Sequence, residues 1–108
     1  MTRLPAPLAE LPDGAAGAAG VAAAEARLRA AGVEPMAWRN GPGDRYAAHE
    51  HGFAKLLICA EGSITFHIGP GATPVELTAG DGFVLPPGTL HAAVVGSEGC
   101  TCLEGHRP

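Results

Sequence analysis

The stretch Gly43–Gly62, GDRYAAHEHGFAKLLICAEG, sets His49 and His51 two residues apart in a run that otherwise reads as β-strand. Side chains at i and i+2 of a strand point to the same face, so the two imidazoles converge on one spot. A third histidine, His91, closes a second Pro/Gly-punctuated segment, GDGFVLPPGTLH, at residues 80–91. Together the three predict a histidine pocket inside a small β-barrel.

On either side of this stretch, from Met36 onward, no helical period is present. The segments MAW, RYAAHEH, AKLLICA, SITFHI, PVELTA, GFVLP, HAAVV and CTCLEG are short and are separated by NGPG, EG, GPGATP, AGDG, PPG and GSEG. Eight strands with turn chemistry at the joints predict an antiparallel barrel or double-sheet jelly roll over residues 36–105. A barrel of this size encloses a cavity for one small ligand. Upstream, residues 1–20 read as a Pro/Ala/Gly-rich leader, partly ordered, with an edge strand around Leu8–Leu11 and a frayed Gly-Ala stretch. Residues 21–32 read as a helix: alanine is the best helix former, Glu25 and Arg29 are an i,i+4 pair, and Gly32 suits the position just past the C-terminus. Val21, Ala24, Leu28 and Ala31 share a narrow face that docks on the barrel wall. The fold class expected is all-β, a jelly-roll barrel with one short N-terminal helix.

Composition excludes several function classes. The chain of 108 residues has room for one core. Its net charge of −4 and scattered Lys and Arg exclude the basic face that nucleic acid or an anionic membrane requires. Three cysteines, none in a C-x-x-C pair, do not make a disulfide framework. Neither a signal peptide nor an apolar run of transmembrane length is visible, so the expected location is cytoplasmic.

Alternation assigns faces. If His49 and His51 point inward, so do Lys55, Leu57 and Cys59, provided no bulge intervenes. Ile64, Phe66 and Ile68 form an apolar set that leaves His67 outward, and Ala93 and Val95 share a face with His91. In the last strand either Cys100, Cys102 and Glu104 face in, or Thr101 and Leu103 do. Tyr46 has the opposite parity to the histidines and is assigned to the surface or an interface. Trp38 is read as sealing a barrel end, His106 as an exposed tail residue, and Cys100 and Cys102 as small buried hydrophobes rather than a metal pair. The turn glycines and prolines would be needed in an inert barrel too.

Two spacings in this sequence resemble those of the cupin superfamily. Its first motif, G-x5-H-x-H-x3,4-E-x6-G, is matched by Gly43, His49, His51, Lys55 and Gly62 at every spacing. Its second, G-x5-P-x-G-x2-H-x3-N, is matched by Gly80, Pro86, Gly88, His91 and Val95. The chain therefore resembles a small single-domain cupin over about half its length, Gly43–Val95. Two positions depart: Lys55 stands where the family has a metal-binding Glu, and Val95 replaces an Asn. The resemblance implies a double-stranded β-helix, metal ligands at His49, His51 and His91, and pairing into a homodimer through edge strands. It also implies kinship with three-histidine sites such as those of thiol dioxygenases.

Three neutral imidazoles with open positions suit Zn, Fe, Ni or Cu. Lys55 opposes this: a protonated amine about 4 Å from a divalent ion repels it by roughly 8 kcal/mol at an effective dielectric near 20. Three resolutions are open. Lys55 is deprotonated, or it pairs with an acid such as Glu104 or Glu61, or the pocket holds no metal and binds an anionic small molecule. The functions expected are correspondingly a metal-dependent enzyme on a small organic molecule, a non-catalytic small-ligand-binding module, or a dimeric structural cupin with a degenerate, metal-free site. Lys55, Leu57, Cys59 and Ala93 are the expected pocket lining. The only further acid or base near it is Glu104.

Overall fold

The structure, a computed structural model, describes residues 4–108; the first three residues of the leader lie outside that range. One helix, α1 (Val21–Ala30), precedes six strands: β1 (Met36–Asn40), β2 (Arg45–His49), β3 (Ala54–Ile68), β4 (Thr73–Thr78), β5 (Gly82–Leu85) and β6 (His91–Arg107). All pairings are antiparallel. The order is β1-β6-β3-β4, with β2 added to β6 and β5 to β3. This is the all-β barrel with one short helix. No helix among the described residues is long and apolar enough to cross a membrane.

Eight strand segments become six strands because two of the punctuations do not end a strand. β3 and β6 pair from Ala54↔Arg107 to Ile68↔His91, with register shifts between Cys59 and Glu61 and between Gly62 and Ile64. The chain passes through Glu61-Gly62 and Gly96–Gly99 as bulges, which bend a strand without breaking it. Gly62 (φ 75°) and Gly99 (φ 74°) take the left-handed backbone this requires. A Cβ on Gly62 would run into the Gly99 carbonyl.

The sheet separates two apolar clusters. Leu57, Cys59, Ile64, Phe66, Phe83, Ala93, Val95 and Cys102 fill the barrel interior. Leu56, Ile58, Ala60 and Leu103 point the other way, against Ala24 and Leu28 of α1 and Leu11 of the leader. The run LLICA is thus buried on both faces, which is why it shows no polar alternation.

The leader lies along the free edge of β5. Ala9 and Val84 exchange backbone hydrogen bonds at 3.1 and 2.8 Å, and Gly17 N–H donates to Gly80 O at 3.0 Å. Here the edge strand read around Leu8–Leu11 is an isolated bridge, Ala9↔Val84. The Gly-Ala stretch read as frayed is held by a second bridge, Ala16↔Asp81, and by Gly20 N–H on Ala60 O. Arg27 of α1 fastens it, donating to Asp13 at 2.7 Å and to Gly80 O at 2.8 Å. Low complexity did not mean disorder, because the small residues let backbone approach backbone.

Candidate metal centre

His91 opens β6, and His49 ends β2 directly opposite it. His51 follows in the turn before β3, where its carbonyl accepts from Gly88 N–H at 2.8 Å. The two Pro/Gly-rich segments are thereby joined, and the three histidines meet. One ring nitrogen from each lies within 4.8 Å of the others, with ring centroids 4.3 Å (His49–His91), 4.7 Å (His49–His51) and 5.2 Å (His51–His91) apart.

Hydrogen bonds fix which nitrogen faces inward. His49 Nδ1–H donates to Ala47 O at 2.7 Å, and His91 Nδ1–H donates to Thr89 O at 2.8 Å. A carbonyl oxygen can only accept, so in both rings Nδ1 carries the proton and Nε2 keeps its lone pair. His51 is held by stacking on Phe53 (4.8 Å, 16° between planes). The Nε2 atoms of His51 and His91 are buried with no hydrogen-bond partner among the described residues. Burial holds the His51 imidazole below its ordinary pKa, helped by the charges of Lys55 and His49. Burial likewise lowers His91, against the opposing Thr89 hydrogen bond. Three converging imidazoles, two of them with buried, unpartnered Nε2 atoms, are a donor set that fits a first-row transition metal.

Lys55, on β3, borders the same cavity of about 190 Å³, together with Trp38, Tyr46, Leu57, Phe66, Ala93 and Glu104. The register left open at the last strand is resolved: Cys100, Cys102 and Glu104 share the interior side, while Leu103 faces α1. Lys55 Nζ sits 3.5 Å from Glu104 Oε1. Glu61 is exposed and makes no such pair. Glu104 also accepts from Trp38 Nε1–H at 2.7 Å and is 2.5 Å from His106 Nε2. Burial pushes the Glu104 carboxyl up, but the His106 hydrogen bond, the Lys55 ammonium and the Trp38 N–H outweigh it, and the net shift is downward. Glu104 is therefore an ionised partner for Lys55.

Several assignments made by alternation change. Tyr46 is exposed, as its assignment to the surface expected, and it also borders the cavity, because β2 carries a bulge. Tyr46 pairs with Ala93 and His49 with His91, so three steps on β2 match two on β6, which puts Tyr46 and His49 on one face. The Tyr46 hydroxyl donates to Asn40 Oδ1, and burial raises its pKa, against that hydrogen bond. Trp38 is a wall of the pocket rather than a plug at a barrel end, anchored by Glu104 and packed edge-on against Tyr46 at 5.6 Å. Cys59 shares the inward face, but its thiol donates to Glu61 O at 3.4 Å and it packs in the core beyond the residues that border the cavity. His106 is exposed, as expected of a tail residue, yet it stacks on Phe53 at 4.2 Å and closes the Glu104 cluster. Neither Phe53 nor His106 belongs to a spaced motif, so no pattern in the sequence marked them. Pairing of Lys55 with His106 across β3 and β6 is the signal that would have found the latter.

The AraC-like ligand binding domain family matches residues 32–103, which covers the barrel up to Leu103 of β6 and all three histidines. Among solved structures, an uncharacterised double-stranded β-helix protein from Klebsiella pneumoniae is 28% identical, with a TM-score of 0.61 over 68% of this chain and 65% of that one. The match therefore spans just under two thirds of that protein. A ribosomal oxygenase from Escherichia coli is 21% identical (TM-score 0.63, 70% of this chain and 23% of that). An oxalate decarboxylase variant from Bacillus subtilis is 23% identical (TM-score 0.61, 67% and 20%). These last two likenesses are of fold. No curated protein sequence matches the chain significantly.

Proposed function

The chain belongs to the AraC-like ligand binding domain family, within the cupin superfamily, and from that membership we propose that it is a small-molecule-binding barrel holding one divalent transition metal on His49, His51 and His91. One observation carries this reading: the Nε2 atoms of His51 and His91 are buried and unpartnered. A buried polar atom left unsatisfied costs about 1–3 kcal/mol, so such an arrangement calls for an occupant. When bound, a metal would act as a Lewis acid toward a ligand at its open positions.

The chain's own groups do the rest. Ala47 O and Thr89 O orient two imidazoles, the Phe53 ring braces the third, and Glu104 neutralises the Lys55 ammonium that would otherwise repel a cation. Trp38, Tyr46, Leu57 and Phe66 give the ligand an apolar wall. A metal-free binding module is the second reading, favoured by Lys55 standing at the position of the family's carboxylate ligand. A cytoplasmic homodimer paired through β1, at the end of the sheet order with Met36 53% exposed, accompanies the first; sedimentation would check the stoichiometry.

The test is elemental analysis of untagged protein purified from medium supplemented with zinc, iron, nickel and copper. About one metal ion per chain is expected, and a His49→Ala/His91→Ala variant that retains its far-UV spectrum should carry none. Wild-type protein without transition metal would favour the metal-free reading.

A further inference from the structure

Lys55 brings ammonium N–H donors to the border of the cavity. Its side chain is 12% exposed, and among the described residues its ion-pair partner is Glu104 Oε1, at 3.5 Å. An ammonium has three N–H donors, so at least two remain for the cavity that Lys55 borders. Glu104 is shared among three donors, Oε1 accepting from Trp38 as well as Lys55 and Oε2 meeting His106, so it does not engage all the Lys55 donors. Lys55 and Glu104 cancel in charge, Tyr46 is a neutral phenol, and three imidazoles contribute no negative charge. No carboxylate remains in the lining to balance a divalent ion on the histidines.

The rest of the wall is apolar: Trp38, Tyr46, Leu57, Phe66, Ala92 and Ala93. At about 190 Å³ the cavity is smaller than the ~300–1,000 Å³ of sites for drug-sized ligands and equals the volume of roughly six waters. We infer that the occupant is a small monocarboxylate with an apolar body, its anionic head between Lys55 Nζ and the three histidines and its body against Trp38 and Phe66. The metal's share in this rests on the function proposed above; the Lys55 share does not.

Trp38 is the only tryptophan in the chain and borders the cavity, so its fluorescence reports occupancy. The experiment titrates benzoate and butyrate, and their neutral analogues benzamide and butyramide, into zinc-supplemented and chelator-treated protein whose zinc content is measured in parallel. One or both carboxylates are expected to give saturable changes at millimolar concentration or below, at least about tenfold tighter than the matching amide (about 1.4 kcal/mol). Lys55→Met is expected to remove that preference, so that carboxylate and amide bind alike. Should Lys55→Met not fold, Lys55→Met/Glu104→Gln removes the pair as a neutral unit and reads the same loss. Amides that bind as well as carboxylates, a preference that survives loss of Lys55, or no saturable carboxylate binding would each overturn the inference. Protein from the four-metal medium that carries no transition metal yet keeps a Lys55-dependent carboxylate preference would sink the metal reading alone.

Discussion

Glu104 meets three donors at once: Trp38 Nε1–H at 2.7 Å, the Lys55 ammonium at 3.5 Å and His106 Nε2 at 2.5 Å. Its carboxyl lies below the ordinary range despite burial, so its ionisation is linked to folding. A depressed folded pKa contributes stability that is present above the unfolded value, ~4.3, and is lost as pH falls through the folded one. Glu104→Gln is therefore expected to cost about 1–3 kcal/mol near neutral pH, where charge-assisted hydrogen bonds are lost. Urea unfolding of both proteins at pH 7 and pH 3 checks this. The gap should narrow in acid, and a gap that is constant with pH would show that the ionised form carries no stability. The three histidines were legible in the sequence because their spacing is short and marked by turns. Glu104 was legible only as one of two acids that could pair with Lys55, because the register of a strand rich in small residues has no alternation to read. The place of Tyr46 at the cavity was missed by parity for a related reason: a bulge adds one residue without changing composition, and every parity across it inverts.

At the scale of elements, β3 and β6 hold the barrel together by pairing over nearly their whole lengths. Both continue through glycine-marked points that resemble turns. Gly62 has φ 75° and its missing Cβ leaves room for the Gly99 carbonyl, whereas Gly69 has the same φ with nothing within 4 Å. The two sites separate backbone strain from collision. Gly69→Ala is expected to cost about 1 kcal/mol from the left-handed conformation alone. Gly62→Ala adds a backbone clash and is expected to cost about 2–4 kcal/mol, lowering the melting temperature by on the order of 10–20 °C. Thermal unfolding of the pair decides it, and equal losses would mean that the two strands do not cross as closely as the bulges place them. The same glycines explain why the strand count was misread. Composition marks a place where the chain can turn, while long-range pairing decides whether it bends or reverses.

Across the whole molecule, stability and site are divided by the sheet. One cluster, around Phe66 and Phe83, lies inside the barrel and continues into the cavity wall; the other, around Leu28, Leu56 and Leu103, lies beneath the helix and leader on the far face. Leu28 is fully buried, so Leu28→Ala leaves a void and is expected to cost about 2–5 kcal/mol. Its cluster shares no residue with the cavity lining, and well-separated sites are additive within a few tenths of a kcal/mol. Zinc at 100 times its Kd stabilises the folded state by ~2.7 kcal/mol, and that increment should be the same in wild type and in Leu28→Ala. Phe66→Ala, by contrast, removes a ring shared by core and cavity, packed 5.2 Å from Phe83, and should lower both stability and ligand affinity. Urea denaturation of the three proteins with and without zinc, with Kd from chelator competition, measures both quantities. A zinc increment that shrinks in Leu28→Ala would mean that the helix side holds the histidines in place. In that case the outer layer is part of the site, and not merely its support.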